Sequence, residues 1–318
     1  MTKIPIVFST DHNYVMQTGV CITSLLMNSQ PTTSYDIFIL GSSDITYCDK
    51  NILENTVKKF SAISTINFIS IDNRFDKAYE IRDISKAAYF RLVIPELIHE
   101  YNKVIYSDVD VIFRKGLEDV INIDLGQNYW GGIKAIGASN IKDYILQMGL
   151  SPDKYINTGF LIINSDLQRK EKLYDTINKH TNKKYQFQDQ DIINIIGKDR
   201  ILYLPLEYCF TQKSYELYHT NKQSLYSKFS PEEVEKAFNS GIIHYEGTNK
   251  PWNAYCYRYD SWWYYYKHSL FFDEKKYFQE AYNIQHHSWS LKEILRLLRN
   301  FIRGDYKNDK KNIKKNRI

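Results

Sequence analysis

Apolar runs alternate with helically spaced apolar residues along the first part of the chain. Short apolar runs bounded by polar residues predict strands, and apolar residues three and four positions apart predict helices. The sequence therefore predicts strands over residues 4–9, 35–41 and 66–71, and helices over 14–27 and 44–60. Strands that alternate with helices favour an α/β protein whose twisted, largely parallel sheet is covered by helices on both faces.

The same alternation continues to residue 245. It predicts helices over 85–94, 165–178 and 189–196, and strands over 104–107, 130–136, 159–164 and 241–245. Asp11, Asp108, Asp110 and His244 each stand at or just past the end of a predicted strand. Because ligands of open α/β sheets bind at the carboxyl ends of the strands, these four residues are the first candidates for a functional site.

Asp108 and Asp110 interrupt the apolar run over residues 104–113. Residues two positions apart in an extended segment project to the same side, so the two carboxylates are aimed together. Oxygen ligands suit hard divalent cations such as Mg²⁺ and Mn²⁺. The pair therefore indicates a metal site, and the alternative interpretation is a solvated turn where a strand leaves the core.

Composition bounds the class of protein. Across 318 residues, 43% are hydrophobic and 25% are charged, as in ordinary soluble globular proteins. The four cysteines form no C-x-x-C pair, so the sequence gives no sign of a zinc or redox motif. A reduced, cytoplasmic setting is therefore favoured. We expect neither a secretory leader nor a membrane span, because no stretch has the apolar pattern of either.

The charge is concentrated in the last thirty-one residues. Residues 288–318 carry ten basic and three acidic side chains, a net +7 that leaves −2 for residues 1–287. Over 289–303 apolar and basic residues occupy opposite faces of a helix, which predicts attachment to an anionic membrane surface. A nucleic-acid-binding arm is the alternative, but no base-reading module accompanies it, and we expect no nucleic-acid partner.

Six segments together resemble glycosyltransferase family 8, which includes bacterial galactosyl- and glucosyltransferases of surface glycans. They are residues 6–14, 88–98, 103–113, 155–164, 187–194 and 243–253. The resemblance implies a GT-A-type fold with a single Rossmann-like mixed sheet flanked by helices, formed by residues 1–255. Residues 256–318 then form a small helical C-terminal region. It also implies a retaining transferase that moves glucose or galactose from a UDP-sugar to a glycan or glycolipid acceptor.

The resemblance assigns the metal and diphosphate ligands. Asp108, Asp110 and His244 would hold Mn²⁺, with Mg²⁺ as the alternative, and the metal would bridge the two phosphates of the donor. Gly247 and Lys250 would cradle the diphosphate, through close backbone approach and an ammonium charge. For His244 the alternative is a hydrogen-bonded core histidine, and for residues 247–251 it is a plain surface turn.

The resemblance also assigns the donor site. Its binding residues would be Ser9, Thr10, Asp11, Asn13, Tyr14, Arg91, Ser107, Val109, Asn157 and Thr158. Capping of a helix by Asp11 or Asn13 and a structural ion pair for Arg91 are the alternatives. Asp189 and Gln190 would be catalytic, with Asp189 gripping donor hydroxyls and Gln190 near the anomeric carbon. Asp191 is interpreted as a first-turn acid that interacts with the helix dipole.

The residue type at position 190 bears on the mechanism. Retention of anomeric configuration by double displacement needs a nucleophile on the β face of the sugar, and the amide of Gln190 is a poor nucleophile. A front-face route, in which the leaving phosphate accepts the acceptor proton, is therefore favoured.

Two rival functions remain at this point. They are a phosphotransferase of the haloacid-dehalogenase type, which also has D-x-D after a strand, and a non-catalytic glycan-binding protein. Residues 131–156 and 209–240, where acceptor contacts would lie, give no prediction of the acceptor.

Overall fold

The computed structural model describes residues 3–71, 75–76, 78–79 and 86–279 of the chain. The described strands are β1 (Lys3–Thr10), β2 (Ser34–Gly41), β3 (Thr65–Ser70), β4 (Val104–Ser107), β5 (Val111–Ile112), β6 (Trp130–Lys134), β7 (Ile156–Ile163), β8 (Ile201–Tyr203), β9 (Phe210–Thr211) and β10 (Ile243–His244). Seven of them form one mixed sheet in the order β3-β2-β1-β4-β7-β6-β8. The fold is therefore α/β, as predicted.

Two opposite strand directions meet at the centre of the large sheet. β1 pairs in parallel with β2 and β4, whereas β7 runs antiparallel to both β4 and β6. In the β4–β7 pair, Ser107 lies opposite Phe160. The residues that precede Phe160 therefore lie beside the residues that follow Ser107, which brings Asn157, Thr158 and Gly159 to the aspartate pair.

A second, three-stranded sheet has the order β5-β10-β9. β10 pairs antiparallel with β5, so that His244 lies opposite Val111. These two strands are only two residues long, but the pairing carries a residue from late in the chain to a position next to Asp110. The histidine and the two aspartates, separated by more than 130 residues of sequence, thus meet at one edge of the fold.

α-Helices lie between and after these strands. They are α1 (Val15–Met27), α2 (Tyr47–Phe60), α3 (Ile94–Leu97), α4 (Lys142–Gln147), α5 (Ser165–Lys170), α6 (Leu173–Asn178), α7 (Gln188–Ile196), α8 (Gln212–Thr220), α9 (Gln223–Tyr226), α10 (Pro231–Ser240) and α11 (Tyr259–His268). β1 is buried along nearly its whole length, as expected for a strand covered on both faces. α11 shares a hydrophobic core with β1 and α1, through Trp262 and Tyr266.

Three predicted helices differ from the observed ones. Within the range predicted over 85–94, the structure has a 3-10 helix at Lys86–Val93, and α3 continues through Pro95. The helix predicted over 165–178 is divided into α5 and α6 at Lys172, whose φ of 49° is left-handed. α7 begins one residue before the predicted Asp189, at Gln188, which also has a positive φ of 42°. Each difference lies at a backbone conformation that side-chain periodicity does not encode.

The C-terminal predictions reach beyond the described residues. The basic amphipathic segment 288–318 lies outside them, and the domain boundary at residue 255 stays a prediction. Among the described residues, no helix combines the length and the apolar character needed to cross a bilayer.

Candidate active site

Asp108, Asp110 and His244 form what we call the candidate metal cluster. One ligand atom from each lies within 4.8 Å of the others. His244 Nε2 is 3.7 Å from Asp108 Oδ2 and 3.3 Å from Asp110 Oδ1. Asp110 Oδ1 is buried and accepts no hydrogen bond from any described residue. Such an orphaned carboxylate oxygen beside an imidazole fits a divalent cation such as Mn²⁺.

Each aspartate of the candidate metal cluster gives one oxygen to a cation of the protein. Arg91 Nη2 lies 2.7 Å from Asp108 Oδ1, which also accepts from the Tyr106 hydroxyl at 2.8 Å. Lys250 Nζ lies 2.5 Å from Asp110 Oδ2. The remaining oxygens, Asp108 Oδ2 and Asp110 Oδ1, are the two that face His244. One oxygen of each carboxylate therefore contacts a cationic side chain of the protein, and the other oxygen faces the space beside the imidazole.

Charge pairing controls protonation in this cluster. Burial alone would raise the pKa of Asp110, but the Lys250 ammonium and His244 outweigh it and hold that pKa well below its ordinary value. Burial alone would lower the pKa of His244, but Asp110 outweighs it and raises the pKa well above 6.5. A divalent cation must displace the histidine proton, so metal binding by this cluster releases a proton and weakens as pH falls.

Close packing surrounds His244 on two sides. Its Nδ1 lies 3.4 Å from Cys209 Sγ. On the other side, a Cβ added to Gly159 would lie 2.2 Å from His244 Cε1 and 3.0 Å from Asp108 Oδ2. A side chain at residue 159 would therefore fill the space in which the candidate metal cluster meets.

Asp189 and Gln190 lie on α7, next to the start of β7. Asp189 Oδ2 is 3.0 Å from Arg91 Nε and accepts from Thr158 Oγ1 at 3.4 Å. Gln190 Oε1 accepts from the Thr158 backbone N–H at 3.3 Å. Arg91 thus bridges Asp108 and Asp189, so the structural ion pair considered as its alternative is present here. The same contact joins the predicted catalytic residues to the candidate metal cluster.

The buried Asp189 carboxyl group is costly to ionise. Burial raises its pKa from 3.8 to about 6, although Arg91 pulls that pKa down. One guanidinium shared between two carboxylates does not compensate fully for desolvation of the second. A buried carboxylate held at such a cost is typical of a functional site.

The end of β1 lies on the other side of the cluster. Asp11 Oδ1 is buried and has no hydrogen-bond partner among the described residues, and its side chain does not cap the following 3-10 helix. The capping alternative is therefore wrong for Asp11 in this structure. Tyr14 is 37% exposed and contacts the Trp252 ring edge-on at a centroid distance of 6.2 Å. The exposed Tyr14 ring can stack on a planar ligand, and the Asp11 carboxylate beside it keeps an oxygen without a partner among the described residues.

The remaining predicted donor residues differ in what they present. Ser9, Thr10, Ser107 and Val109 are buried, Asn157 is half-buried, and Asn13 is exposed. Asn157 Oδ1 accepts from the Gly159 N–H at 2.8 Å, which fixes the Asn157 side chain against the backbone of β7. Gly247 has a left-handed φ of 85° with open space around its Cα, a conformation that favours glycine.

Sequence reasoning missed Tyr106 and Cys209. Tyr106 stands two residues before Asp108, so strand periodicity could have aimed its hydroxyl at the same side. Cys209 carries no such signal, because it comes from a segment with no local motif. It reaches His244 through the parallel pairing of β9 with β10.

Comparisons with solved structures identify the fold. The galactosyltransferase LgtC superposes with a TM-score of 0.70 at 24% identity, covering 86% of this chain and 98% of that one. The bifunctional glycosyltransferase WbbM superposes with a TM-score of 0.73 at 23% identity, over 88% of this chain and 52% of that one. The fold is that of GT-A glycosyltransferases, and the predicted fold class is confirmed.

The sequence comparisons identify the family. The model of glycosyl transferase family 8 matches residues 5–256. General stress protein A of Bacillus subtilis is 28% identical over 78% of this chain and 87% of its own. Lipopolysaccharide glucosyltransferase WaaO of Escherichia coli is 25% identical over 80% of this chain and 74% of its own. The chain belongs to glycosyl transferase family 8. The haloacid-dehalogenase alternative has no support among these relatives.

Proposed function

We propose that this enzyme transfers glucose or galactose from a UDP-hexose to a glycan acceptor, with retention, in a reaction that depends on Mn²⁺ or Mg²⁺. The observation that carries the proposal is the candidate metal cluster, in which Asp108 Oδ2 and Asp110 Oδ1 face the His244 imidazole. The similarity to WaaO, a glucosyltransferase, and to LgtC, a galactosyltransferase, supports a hexose as the transferred sugar.

The diphosphate end of the donor would meet Gly247 and Lys250. When bound, the metal would neutralise negative charge on the departing UDP. The backbone at Gly247 is open, so phosphate oxygens can approach it closely. Lys250 would exchange its contact with Asp110 for one with phosphate. Asp11 and Tyr14 would bind the ribose and uracil, together with Ser9, Thr10, Asn13, Ser107 and Val109.

The sugar end would meet Asp189, Gln190, Arg91, Asn157 and Thr158. Asp189 would accept hydrogen bonds from sugar hydroxyls, but Arg91 and Thr158 already engage its buried carboxylate. It is thereby poorly suited to attack the anomeric carbon. Gln190 is an amide and also a poor nucleophile. We therefore favour the front-face route, in which these polar groups stabilise the oxocarbenium-like state electrostatically.

We further propose that the acceptor is a bacterial surface polysaccharide or lipopolysaccharide. The name of WaaO motivates the class of acceptor. A cytoplasmic enzyme that lies on the inner face of the plasma membrane would reach such an acceptor, and the basic segment 288–318 would attach it there. No nucleic acid enters the proposal.

We expect the purified full chain to release UDP from UDP-glucose or UDP-galactose when Mn²⁺ is present. Chelation by EDTA should lower that rate at least about 100-fold, because the leaving group then departs without charge neutralisation, and added Mn²⁺ should restore it. The measurement is UDP release across a panel of UDP-sugars.

Two asparagine variants sharpen this test. Asp110→Asn removes a charge from the candidate metal cluster and should lose turnover. Asp36→Asn alters a carboxylate that accepts from Thr65, Asn67 and Tyr101 at the other side of the sheet, and should keep turnover. UDP release unchanged by EDTA would contradict metal dependence, and phosphate release from phosphate esters would support the phosphotransferase instead.

Asp189→Asn should separate stability from activity. Above pH 6 the folded protein holds the Asp189 carboxylate charged at a cost of up to about 3 kcal/mol, because its pKa is raised from 3.8 to about 6. Below pH 4 that carboxyl is neutral in both folded and unfolded states. The folded state binds this proton more tightly than the unfolded state does. The stability that this difference contributes at low pH is therefore lost as pH rises from 4 to 6.

Asp189→Asn removes this charge, so it should raise the free energy of unfolding more at pH 8 than at pH 4.5. UDP-hexose turnover should nevertheless fall, because the amide presents a weaker acceptor to sugar hydroxyls. Denaturation at both pH values in EDTA, with Asp36→Asn for comparison, gives the measurement. A variant that is less stable than the parent at pH 8 would show that the Arg91 pairing outweighs desolvation.

A further inference from the structure

Asp191 is fully buried on α7, with 0% of its surface exposed. Its Oδ1 accepts a hydrogen bond from the Tyr155 hydroxyl. Its Oδ2 accepts from the Tyr144 hydroxyl at 2.6 Å and from the Phe187 backbone N–H at 2.7 Å. A helix dipole does not require two tyrosine hydroxyls, one from the half-buried Tyr144 and one from the buried Tyr155, so this carboxylate does more than the first-turn role expected from the sequence.

The Tyr155 hydroxyl connects Asp191 to Gln190. Gln190 Nε2 donates to the Tyr155 hydroxyl oxygen at 3.2 Å. At the other end of the same amide, Gln190 Oε1 accepts from the Thr158 N–H at 3.3 Å. Both ends of the amide are thus held, one by a side chain and one by the backbone of β7.

The direction of these hydrogen bonds follows from the number of protons. An ionised carboxylate only accepts, and a tyrosine hydroxyl has one proton to donate. Because Tyr155 gives its proton to Asp191, its oxygen can only accept from the next group. An amide offers N–H from one end alone, so its nitrogen must face Tyr155 and its oxygen must face Thr158.

We propose that Asp191 and Tyr155 are positioning residues that set the orientation of the Gln190 amide in the donor site. The inference rests on the proposed function, because it assumes that Gln190 assists transfer. Burial and then the Asp191 charge raise the pKa of Tyr155 far above 10, which keeps its hydroxyl protonated. Asn194 clamps α7 to β7 through Ile156 N–H and C=O at 2.8 and 3.0 Å, so the geometry between the two elements is fixed.

Tyr155→Phe removes the acceptor for the Gln190 N–H and allows the amide group to rotate. We expect kcat for transfer to fall about 10-fold, with the donor KM changed less than twofold. Asp191→Asn can donate to Tyr155, which frees the tyrosine proton to point at the Gln190 N–H group and so disrupts the contact that holds this end of the amide. It should therefore lower kcat by a similar factor, and the double variant should be no worse than the singles.

The matched control is Tyr101→Phe. Tyr101 donates to Asp36 at 2.8 Å, so the substitution breaks a tyrosine–aspartate hydrogen bond of the same kind at the β2–β3 side of the sheet. Its kcat should stay within twofold of the parent. The decisive measurement is Tyr155→Phe in a Gln190→Ala background, where a residue that acts through Gln190 should change kcat less than twofold.

A full 10-fold loss in the Gln190→Ala background would overturn the inference, because Tyr155 would then act independently of the amide. Unchanged kcat in Tyr155→Phe would overturn it as well, provided that Gln190→Ala is impaired. If Gln190→Ala alone keeps full activity, the inference fails while the transferase remains. If the parent protein turns over no UDP-hexose, the proposed function itself fails.

Discussion

Gly159→Ala is expected to abolish divalent-cation binding and to lower UDP-hexose turnover at least about 100-fold, although it adds a single methyl group. The new Cβ would lie 2.2 Å from His244 Cε1 and 2.7 Å from its Nδ1, well inside contact distance. His244 is 4% exposed and has Cys209 Sγ 3.4 Å from its Nδ1, so the ring cannot retreat without breaking that packing. We therefore expect the imidazole to turn away from Asp108 and Asp110.

Gly132→Ala is the control for Gly159→Ala. It is also a buried sheet glycine, but its new Cβ would meet the ends of flexible side chains, 2.4 Å from Ile156 Cδ1 and 3.3 Å from Leu161 Cδ2. Overpacking of that kind costs about 1–3 kcal/mol of stability and should leave Mn²⁺ binding intact. Mn²⁺ titration followed by electron paramagnetic resonance distinguishes the two variants. Parental Mn²⁺ affinity in Gly159→Ala would show that His244 is not a ligand.

The meeting of Asp108, Asp110 and His244 could be predicted because each has a strong local signal. The two acids follow a buried apolar strand and the histidine ends another, and ligand sites of α/β proteins lie at such strand ends. The histidine reaches the acids through the second sheet, where β10 pairs with β5. In the structure, one ligand atom from each of the three residues lies within 4.8 Å of the others. Family resemblance was still needed to choose His244 over an ordinary core histidine.

The partners of the cluster could not be predicted in the same way. The antiparallel direction of β7 brings Gly159 against His244, and an apolar run of residues does not encode strand direction. Cys209 arrives through pairing between strands only two residues long, too short for any periodic signal. Asp191 shows the same limit, since a first-turn acid and a buried acceptor for two tyrosines have identical local sequence. Tertiary pairing, and not local pattern, decides these contacts.

We expect Lys250→Met to lower both the stability of the protein in EDTA and its turnover, because it removes the contact between Lys250 and Asp110. Lys250 Nζ donates to Asp110 Oδ2 at 2.5 Å and to the Tyr245 carbonyl oxygen at 2.6 Å, so the protein itself supplies a cation to this carboxylate. Lys250→Met leaves the half-buried Asp110 carboxylate with His244 as its one remaining charge partner among the described residues, which should cost up to about 3 kcal/mol of stability in EDTA. Mn²⁺ should restore more stability to this variant than it adds to the parent, because the metal no longer competes with the ammonium. Turnover should still fall at least about 100-fold, since the diphosphate loses its positive partner.

Thermal denaturation across a Mn²⁺ series measures both effects of Lys250→Met. Lys115→Met is the control, because Lys115 pairs with the buried Glu207 at 2.9 Å and Lys236 contacts the same carboxylate at 2.9 Å. That substitution should lower stability slightly, and Mn²⁺ should not restore the loss. Equal stabilisation of Lys250→Met and of the parent by Mn²⁺ would mean that the metal does not share Asp110 with the ammonium. The paired arrangement predicts instead that a divalent cation binds the parent weakly until the diphosphate draws Lys250 away, so that metal and nucleotide strengthen each other's binding.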